Sequence, residues 1–222
     1  MKRSTGKKLL GTLLVLCLLL TWLPVTALAA SESITFARPA FTDSDDALTL
    51  SGEASLDSAN GRLRLVPNAY NMVGGMFTTD KVAMGASGFS MAVSVYCGIS
   101  HFTADGFAIV LSKDSNVCRV EAAGGHLGYV GMGNSVAVQY ATFSTYGSND
   151  IRLGINGEQN PAGYSRYSSG FDVPNGGYVY FWLDYDAAAD KLAVRASNSS
   201  TRPISAAASY DIDLGDYERR RH

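Results

Sequence analysis

Residues 134–144 read NSVAVQYATFS, and this stretch alternates with a period of two. Val136, Val138 and Tyr140 fall on one face, whereas Gln139 and Ala141 fall together on the other. Alternation over this length predicts a β-strand, because successive side chains of a strand point to opposite sides of the sheet. The pattern also raises the question of what the face that carries Gln139 and Ala141 contacts.

The same alternation recurs along most of the chain. The stretches SMAVSVYC at 90–97 and YVYFWLDYD at 178–186 are predicted to be amphipathic strands. Further strand candidates are RLRLV (62–66), GFAIVLS (106–112), HLGYVGM (126–132), IRLGIN (151–156), KLAVRAS (191–197) and SYDIDL (209–214). Clusters of Gly, Asn, Asp and Ser separate these runs, as turns require, and no long segment has helical spacing. The sequence therefore predicts an all-β sandwich of two antiparallel sheets.

Residues 1–30 have the pattern of a secretory signal peptide. A basic start, MKRSTGKK, precedes the apolar run LLGTLLVLCLLLTWL, and Ala27-Leu28-Ala29 resembles a cleavage site. The apolar run is shorter than a membrane-spanning helix needs, and no second run follows, so we expect no membrane span after cleavage. We therefore expect a secreted or cell-surface protein, with one domain at 31–216 and a short tail at 217–222.

The charge balance argues against nucleic acid as a partner. The chain has 18 Lys and Arg residues against 20 Asp and Glu. Cleavage would remove four cations and no acids, which leaves 14 against 20, a net charge of about −6. A nucleic-acid-binding surface requires the opposite sign.

Cys97 and Cys118 are the two cysteines that follow the predicted leader. An exported chain permits a disulfide between them. Two buried free thiols are the alternative, and the sequence leaves both open.

The sequence contains few residues in patterns that are typical of enzyme active sites. The three histidines are His101, His126 and His222, and no G-x-S-x-G motif occurs. Asp184 and Asp186 share one strand face, but DYDAAADKLAV favours a turn role for Asp186 over a catalytic one. The sequence thus predicts a protein that is not an enzyme. A divergent glycosidase would need two carboxylates in one cleft, for which Asp105, Asp150 and Asp184 are the candidates.

The order of the segments resembles that of the legume-type (L-type) lectin domain, including its bacterial secreted members. The segments that carry the resemblance are TADGFAIVLS, GGHLGYVG, NSVAVQYATFS, NDIRLGING, WLDYDAAADKLAVRAS and SYDIDL, between about residues 34 and 214. The resemblance implies a concanavalin-like jelly-roll sandwich with a sugar site in the loops at one edge. It also implies glycans as partners, among them cell-surface or extracellular polysaccharides.

The resemblance assigns candidate sugar-binding residues to the loops. Ala104-Asp105 is similar to the family's Ala-Asp pair, whose peptide is commonly cis and whose carboxylate accepts hydrogen bonds from sugar hydroxyls. Gly124 and Gly125 resemble the glycine-rich loop whose backbone N–H reaches the sugar. Considered without the family, Asp105-Gly106 and Gly124-Gly125 are also ordinary turn sequences.

The metal ligands of the family are largely substituted. The family has a Glu and an Asp where this chain has Gln139 and Ala141, and these carboxylates bind calcium and a transition metal such as manganese. The next ligands of the family fall on Phe143, Thr145, Asn149 or Asp150, and Arg152, and Phe143 and Thr145 also belong to the implied sugar site. Only Phe143 and Asp150 suit their roles, because calcium prefers several carboxylates and Arg152 brings a cation. We therefore expect no cofactor, with Gln139, Ala141 and Arg152 replacing the metal site and Arg152 pairing with Asp150 or Asp105.

Two functions follow from this substitution. The first is a non-catalytic carbohydrate-binding domain whose sugar binding is independent of metal or weak. The second is a structural or adhesive cell-surface module that keeps the scaffold and no longer binds sugar. The aromatic residues predicted in loops either stack on sugar rings or cover loop edges: Phe102, Tyr146, Tyr164 and Tyr167. Because the family continues into a further strand where this chain ends with GDYERRRH, we also expect a truncated domain or one completed by another chain.

Overall fold

A computed structural model of the chain describes residues 40–41, 47–82, 88–99, 104–143 and 149–214. These residues form twelve β-strands and two short 3-10 helices, Ser58–Asn60 and Gly124–His126. The strands are β1 (Leu48–Gly52), β2 (Ser55–Asp57), β3 (Arg62–Arg64), β4 (Gly74–Thr78), β5 (Gly88–Tyr96), β6 (Gly106–Ser112), β7 (Ser135–Ala141), β8 (Asp150–Ile155), β9 (Tyr167–Ser168), β10 (Tyr178–Asp186), β11 (Lys191–Ser197) and β12 (Ala208–Asp211).

Two four-stranded antiparallel sheets dominate the described residues. One sheet has the strand order β12-β11-β10-β5, and we call it the Trp182 sheet. The other has the order β6-β7-β8-β9, and we call it the Gln139 sheet. The pairs β1-β4 and β2-β3 form two smaller sheets. The predicted all-β jelly-roll sandwich is confirmed.

The main core lies between the two large sheets. Every second residue of β10, among them Phe181 and Leu183, is buried against Val138 and Tyr140 of β7 and Leu153 of β8. The Phe181 ring packs edge-on against Tyr140, with centroids 5.2 Å apart. The faces predicted from the alternation of β7 and β10 are therefore correct.

The second face of β7 is buried too. Ala137, Gln139 and Ala141 are at most 3% exposed. Tyr129 and Met132, which precede the strand, form a second apolar cluster with Ala137. The face that carries Gln139 and Ala141 thus contacts other parts of the protein rather than open solvent.

The strand predicted at 126–132 is wrong. This segment begins at the last residue of the 3-10 helix Gly124–His126 and continues through turns. Leu127, Gly128 and Gly131 have φ angles of 52°, 70° and 81°, which an extended strand does not contain. The apparent period of two came from a coil whose glycines allow it to fold over the sheet and bury Tyr129 and Met132.

The strands β1, β2, β4 and β9 lie outside the predicted strand segments. The stretch GGMFT of β4 begins with two glycines, which in a sequence indicate a turn. In the structure Gly74 pairs with Gly52 at the end of the β1-β4 ladder, and a β-carbon at Gly74 would overlap the carbonyl oxygen of Leu65. Close backbone approach therefore accounts for a glycine in this strand.

Both Cys97 and Cys118 are free thiols. Cys97 packs against the main core, and burial raises the pKa of its thiol. Cys118 instead lies beside β1, where Ser51 Oγ donates a hydrogen bond to its Sγ over 3.2 Å. Of the two alternatives that the sequence leaves open, the structure contains the free thiols.

The predicted leader at 1–30 and the predicted tail at 217–222 lie outside the described residues, so these boundaries remain predictions. Among the residues that the structure describes, no helix is long and apolar enough to cross a membrane.

Candidate functional site

Asp105 lies where β6 begins, beside the end of β7. The Ala104–Asp105 peptide bond is cis. The main-chain carbonyl of Asp105 accepts hydrogen bonds from Thr142 N at 3.0 Å and Phe143 N at 3.3 Å. Gly106 has φ +137°, and a β-carbon there would overlap the carbonyl oxygen of Tyr140, so the strand can approach β7 only with glycine at this position. The backbone therefore fixes Asp105 and leaves its carboxylate free of this structural role.

The glycine loop lies against the Asp105 carboxylate. A β-carbon on Gly124, whose φ is +64°, would lie 3.4 Å from Oδ2 of Asp105. A β-carbon on Gly125 would meet nothing within 4 Å, so this side of the loop is open. The loop closes on itself through the hydrogen bond from Leu127 N to Gly124 O, at 3.0 Å. The structure thus brings Asp105, Gly124 and Gly125 together.

Phe143 follows the same strand end and is 61% exposed. Its main-chain N–H donates to the Asp105 carbonyl, which holds the residue beside the start of β6. Three features of this region suit a small ligand with hydroxyl groups and an apolar C–H face. They are a carboxylate acceptor, main-chain amides that no side chain covers, and an exposed aromatic ring. Thr145, the other residue implied for this site, lies outside the described residues.

Gln139 and Arg152 pair across neighbouring strands on the buried face of the Gln139 sheet. The register aligns Gln139 with Arg152 and Ala141 with Asp150. The exposed fractions of Gln139 and Arg152 are 0% and 4%. Arg152 Nη2 lies 3.3 Å from Asp150 Oδ2, and Arg166 Nη1 lies 3.7 Å from the same oxygen. The predicted Arg152–Asp150 ion pair is present.

Gln139 is connected to the glycine loop through a second glutamine. Gln139 Nε2 donates a hydrogen bond to the main-chain oxygen of Gln159 at 2.7 Å. The Gln159 side chain in turn donates through Nε2 to the main-chain oxygen of Gly125. We call this chain of contacts the glutamine relay. It leads from the position of a family metal ligand to the loop that touches Asp105.

The residues at the implied metal positions do not fit a calcium and manganese pair. Gln139 uses its amide as a donor, Ala141 has no ligand atom and Arg152 carries a positive charge. Asp150 is the one carboxylate of this set, and two guanidinium groups contact it. Within the described residues, no group of three or more His, Cys, Asp or Glu side chains could hold a metal ion. Calcium normally takes six to eight oxygen ligands, several of them carboxylates.

Tyr129 adds a buried hydroxyl to this face of the sheet. Its ring is 1% exposed, and its hydroxyl has no hydrogen-bond partner among the described residues. A β-carbon on Gly154 would overlap that hydroxyl oxygen, so the absence of a side chain at Gly154 provides its space. Burial raises the pKa of Tyr129, with the Arg152 charge acting in the opposite direction.

Tyr129→Phe is expected to leave the free energy of unfolding unchanged or to raise it by up to about 1 kcal/mol, because a buried hydroxyl without a partner has a desolvation cost and no compensating hydrogen bond. Urea unfolding of the two proteins measures the difference. A loss above about 1.5 kcal/mol would show that the hydroxyl makes a stabilising contact.

The cleft beside Asp150 has a volume of about 680 Å³. Its lining is polar or aromatic: Asp150, Asn160, Tyr164, Ser165 and Arg166. Tyr164 and Tyr167 also pack against the Tyr210 ring, with centroids 6.3 and 5.5 Å away. Of the two roles predicted for the loop aromatics, these tyrosines cover an edge of the core; Phe102 and Tyr146 lie outside the described residues.

The three candidate acids do not all share one cleft, because Asp184 lies apart from the other two. Asp184 lies on the outer face of the Trp182 sheet, where Arg195 and Arg202 contact it. Asp150 begins β8 of the other sheet and Asp105 directly precedes β6, on the far side of the core, and the register places both beside Ala141 of β7. Asp186 accepts hydrogen bonds from Ala188 N and Ala189 N at 2.9 and 3.1 Å, which confirms its predicted turn role.

Sequence reasoning missed Gln159, Arg166 and Tyr129 as parts of this region. Gln159 lies 20 residues from Gln139, in a loop between strands, and no spacing rule connects the two. Tyr129 was part of the strand that proved wrong. The one usable signal was Gly154, because a glycine inside a strand pattern indicates that another group approaches closely.

Comparison with known proteins agrees with this architecture. The profile of the legume lectin domain matches residues 33–221. A receptor kinase of Arabidopsis thaliana, L-type lectin-domain containing receptor kinase VIII.1, is 29% identical over 121 residues. That match covers 50% of this chain and 17% of the plant protein.

Solved structures of lectins share the fold. Winged bean acidic lectin superposes with a TM-score of 0.63 at 21% identity, over 82% of each chain. The metal-free form of lectin I-B4 from Griffonia simplicifolia gives a TM-score of 0.59 at 20% identity, over 83% of this chain and 86% of that one. Identity at this level supports the fold alone, whereas the family profile covers most of the sequence. The chain therefore belongs to the legume lectin domain family.

Proposed function

We propose that this chain is a secreted or cell-surface glycan-binding domain that is not an enzyme and needs no bound metal. Family membership supports a carbohydrate-binding role. The signal-peptide pattern of residues 1–30 supports export. The winged bean structure is described as a complex with methyl-α-D-galactose, which supports a small sugar as the unit that is bound.

Asp105, the glycine loop and Phe143 form the proposed sugar site. The Asp105 carboxylate accepts hydrogen bonds from two sugar hydroxyls. Main-chain N–H groups of Gly124 and Gly125 donate to a sugar oxygen, since no side chain covers them. The C–H face of the sugar ring packs on Phe143, which is exposed at the same strand end.

The glutamine relay is the observation that carries the metal-independent part of the proposal. It connects Gln139 with the main chain of Gln159 and then with Gly125. Each contact is a hydrogen bond to a carbonyl, so the relay restrains the glycine loop without any ion. Arg152 meanwhile supplies the positive charge beside Asp150. In this proposal the relay and the ion pair together replace the structural role of the family's metals.

Gln139→Leu is expected to weaken sugar binding about tenfold while it lowers the free energy of unfolding by less than about 1.5 kcal/mol. Leucine keeps most of the buried volume and also removes the Gln139 Oε1 atom, which has no partner among the described residues. The relay is lost, however, so the glycine loop is less well positioned. Titration calorimetry and urea unfolding measure the two effects.

Gln159→Leu provides the second arm of this test. The double variant should bind no worse than either single variant, because residues that act through one relay give non-additive effects. Full additivity in the double variant would contradict the relay, and so would wild-type affinity in Gln139→Leu.

A glycan array probed with the full chain tests the proposed function. Binding to a defined set of glycans that is lost in Asp105→Asn supports a lectin with its site in the loops. If Asp105→Asn leaves binding intact, the sugar site lies elsewhere on the protein. Absence of binding by protein shown to be folded would reject sugar recognition and favour a structural or adhesive module.

A further inference from the structure

The outer face of the Trp182 sheet carries a row of four aromatic rings. Tyr178, Tyr180 and Trp182 alternate along β10 with core residues and therefore project from the opposite face. Tyr96 of β5 is the cross-strand partner of Tyr178 and extends the row. The ring centroids are 5.3 Å apart for Tyr96–Tyr178, 6.0 Å for Tyr178–Tyr180 and 6.2 Å for Tyr180–Trp182. We call these four rings the aromatic row.

The strands on either side of the row carry small side chains on this face. Ser94 and Ser197 flank Tyr180, and Ala92 is opposite Trp182. Ala92 and Ser94 are exposed, while the rings themselves are half-buried. The row is therefore a ridge with a shallow, hydroxyl-bearing strip beside it.

Charged side chains that other side chains hold in place lie at both ends of the aromatic row. Arg62 Cζ lies 3.9 Å from the centroid of Tyr96 and 5.4 Å from that of Tyr178. At the other end, Asp184 Oδ2 contacts Arg195 Nη1 at 2.6 Å and Arg202 Nη2 at 2.5 Å. Ser90 Oγ donates to Asp184 Oδ1 at 2.7 Å. These groups place hydrogen-bond donors and acceptors at the two ends of the row.

This composition fits a sugar chain better than a protein partner. The core of a protein interface is depleted in Ser and Ala, and these are the residues at Ala92, Ser94 and Ser197 beside the row. A sugar with equatorial hydroxyls has an apolar C–H face that packs on an aromatic ring and polar edges that reach flanking hydroxyls and charges.

We propose that the outer face of the Trp182 sheet binds an extended, equatorially linked polysaccharide that runs along β10. Tyr180 and Trp182, whose ring planes differ by 18°, stack on sugar rings, whereas Arg62 covers the Tyr96 ring at one end of the row. Ser94, Ser197 and the Asp184 cluster bind hydroxyls. This surface lies on the far side of the core from the Gln139 sheet, so the proposal goes beyond the loop site and does not depend on it.

The tryptophan content of the chain makes a direct test possible. The chain has two tryptophans, Trp22 and Trp182, so the full chain with Trp22→Phe reports on Trp182 alone. Titration with hydroxyethyl cellulose or soluble xylan, both β-linked, should give a saturable change in tryptophan emission, whereas dextran, which is α-linked, should not. The same two polysaccharides should retard the protein in affinity electrophoresis.

Two variants separate loss of the surface from loss of the fold. Tyr180→Ala should weaken binding roughly tenfold, which corresponds to about 1.4 kcal/mol of lost stacking. Ala92→Glu keeps every ring and places bulk and charge beside Trp182, so it should weaken binding at least as much. Tyr70→Ala, which removes a tyrosine that is 94% exposed and outside the row, is the control. Thermal unfolding should show all three variants folded.

Three results would overturn the proposal. The first is that neither β-linked polysaccharide binds the folded chain. The second is binding that both Tyr180→Ala and Ala92→Glu leave unchanged. The third is a concentration-dependent dimer in sedimentation that Ala92→Glu converts to monomer, since the occupant of the face would then be a second copy of the chain.

Discussion

Asp105→Asn is expected to weaken glycan binding by about 30- to 100-fold, or about 2 to 3 kcal/mol, because hydrogen bonds to a charged group contribute about 1.5 to 3 kcal/mol each. The amide keeps one acceptor oxygen and places a donor where the second sugar hydroxyl donates. The fold should be unaffected, since the contacts of Asp105 to Thr142 and Phe143 use its main-chain carbonyl.

Titration of an array-selected glycan into both proteins measures this difference. Asp211→Asn is the matched control, because its carboxylate is 86% exposed and pairs with Lys191 on the surface. That control should bind like the wild type. An affinity within about threefold of the wild type in Asp105→Asn would remove Asp105 from the sugar site.

Phe181→Ala is expected to lower the free energy of unfolding by about 3 to 5 kcal/mol, the range for a large aromatic removed from a packed core. Phe181 is 1% exposed, and its ring packs edge-on against Phe107 at 5.4 Å and Tyr140 at 5.2 Å. These three rings connect the two large sheets, so the cavity would open between them. A loss of this size is a substantial part of the stability of an ordinary domain.

Urea unfolding gives the value, and two variants calibrate it. Phe181→Leu keeps an apolar side chain at the site and should lose clearly less, about 1 to 2 kcal/mol. Tyr70→Ala, at the surface, should stay within about 0.5 kcal/mol of the wild type. A loss below about 1.5 kcal/mol in Phe181→Ala would mean that the two sheets do not share a packed core.

Strands buried on one face were predictable from the sequence. The stretch YVYFWLDYD alternates without interruption, and β10 spans the same residues, 178–186. The segments GFAIVLS and KLAVRAS also match β6 and β11. In YVYFWLDYD and KLAVRAS one buried and one more exposed face determine the pattern, whereas GFAIVLS is apolar on both faces and is marked by a short apolar run between turns.

The segments whose structure the sequence did not predict correctly contain glycines in unusual roles. HLGYVGM carries a pattern like that of a strand, but its glycines adopt positive φ and fold it onto the outside of the Gln139 sheet. GGMFT forms β4 because its glycines allow close approach to neighbouring backbone. In a sequence, glycine is usually read as the sign of a turn, although in the folded protein it can instead allow another backbone to approach closely. Only the three-dimensional structure shows which of these two roles a given glycine has.

The candidate site was predictable only in part. The order of sequence segments, which resembles that of the family, aligned Gln139, Ala141 and Arg152 with metal ligands. The period of two in β7 placed Gln139 and Ala141 on one face. The contact between Gln139 and Gln159 was not predictable, because it depends on how the loop after β8 folds back. The same holds for Tyr129, whose position results from a long connection between β6 and β7.

Metal independence of sugar binding is the central claim, and one titration tests it most directly. An array-selected glycan is titrated into the full chain after exhaustive dialysis against chelator, and again with calcium and manganese in excess. We expect the same dissociation constant in both conditions, because the glutamine relay and the Arg152–Asp150 pair hold the site. Binding that disappears with chelator and returns with the ions would contradict it.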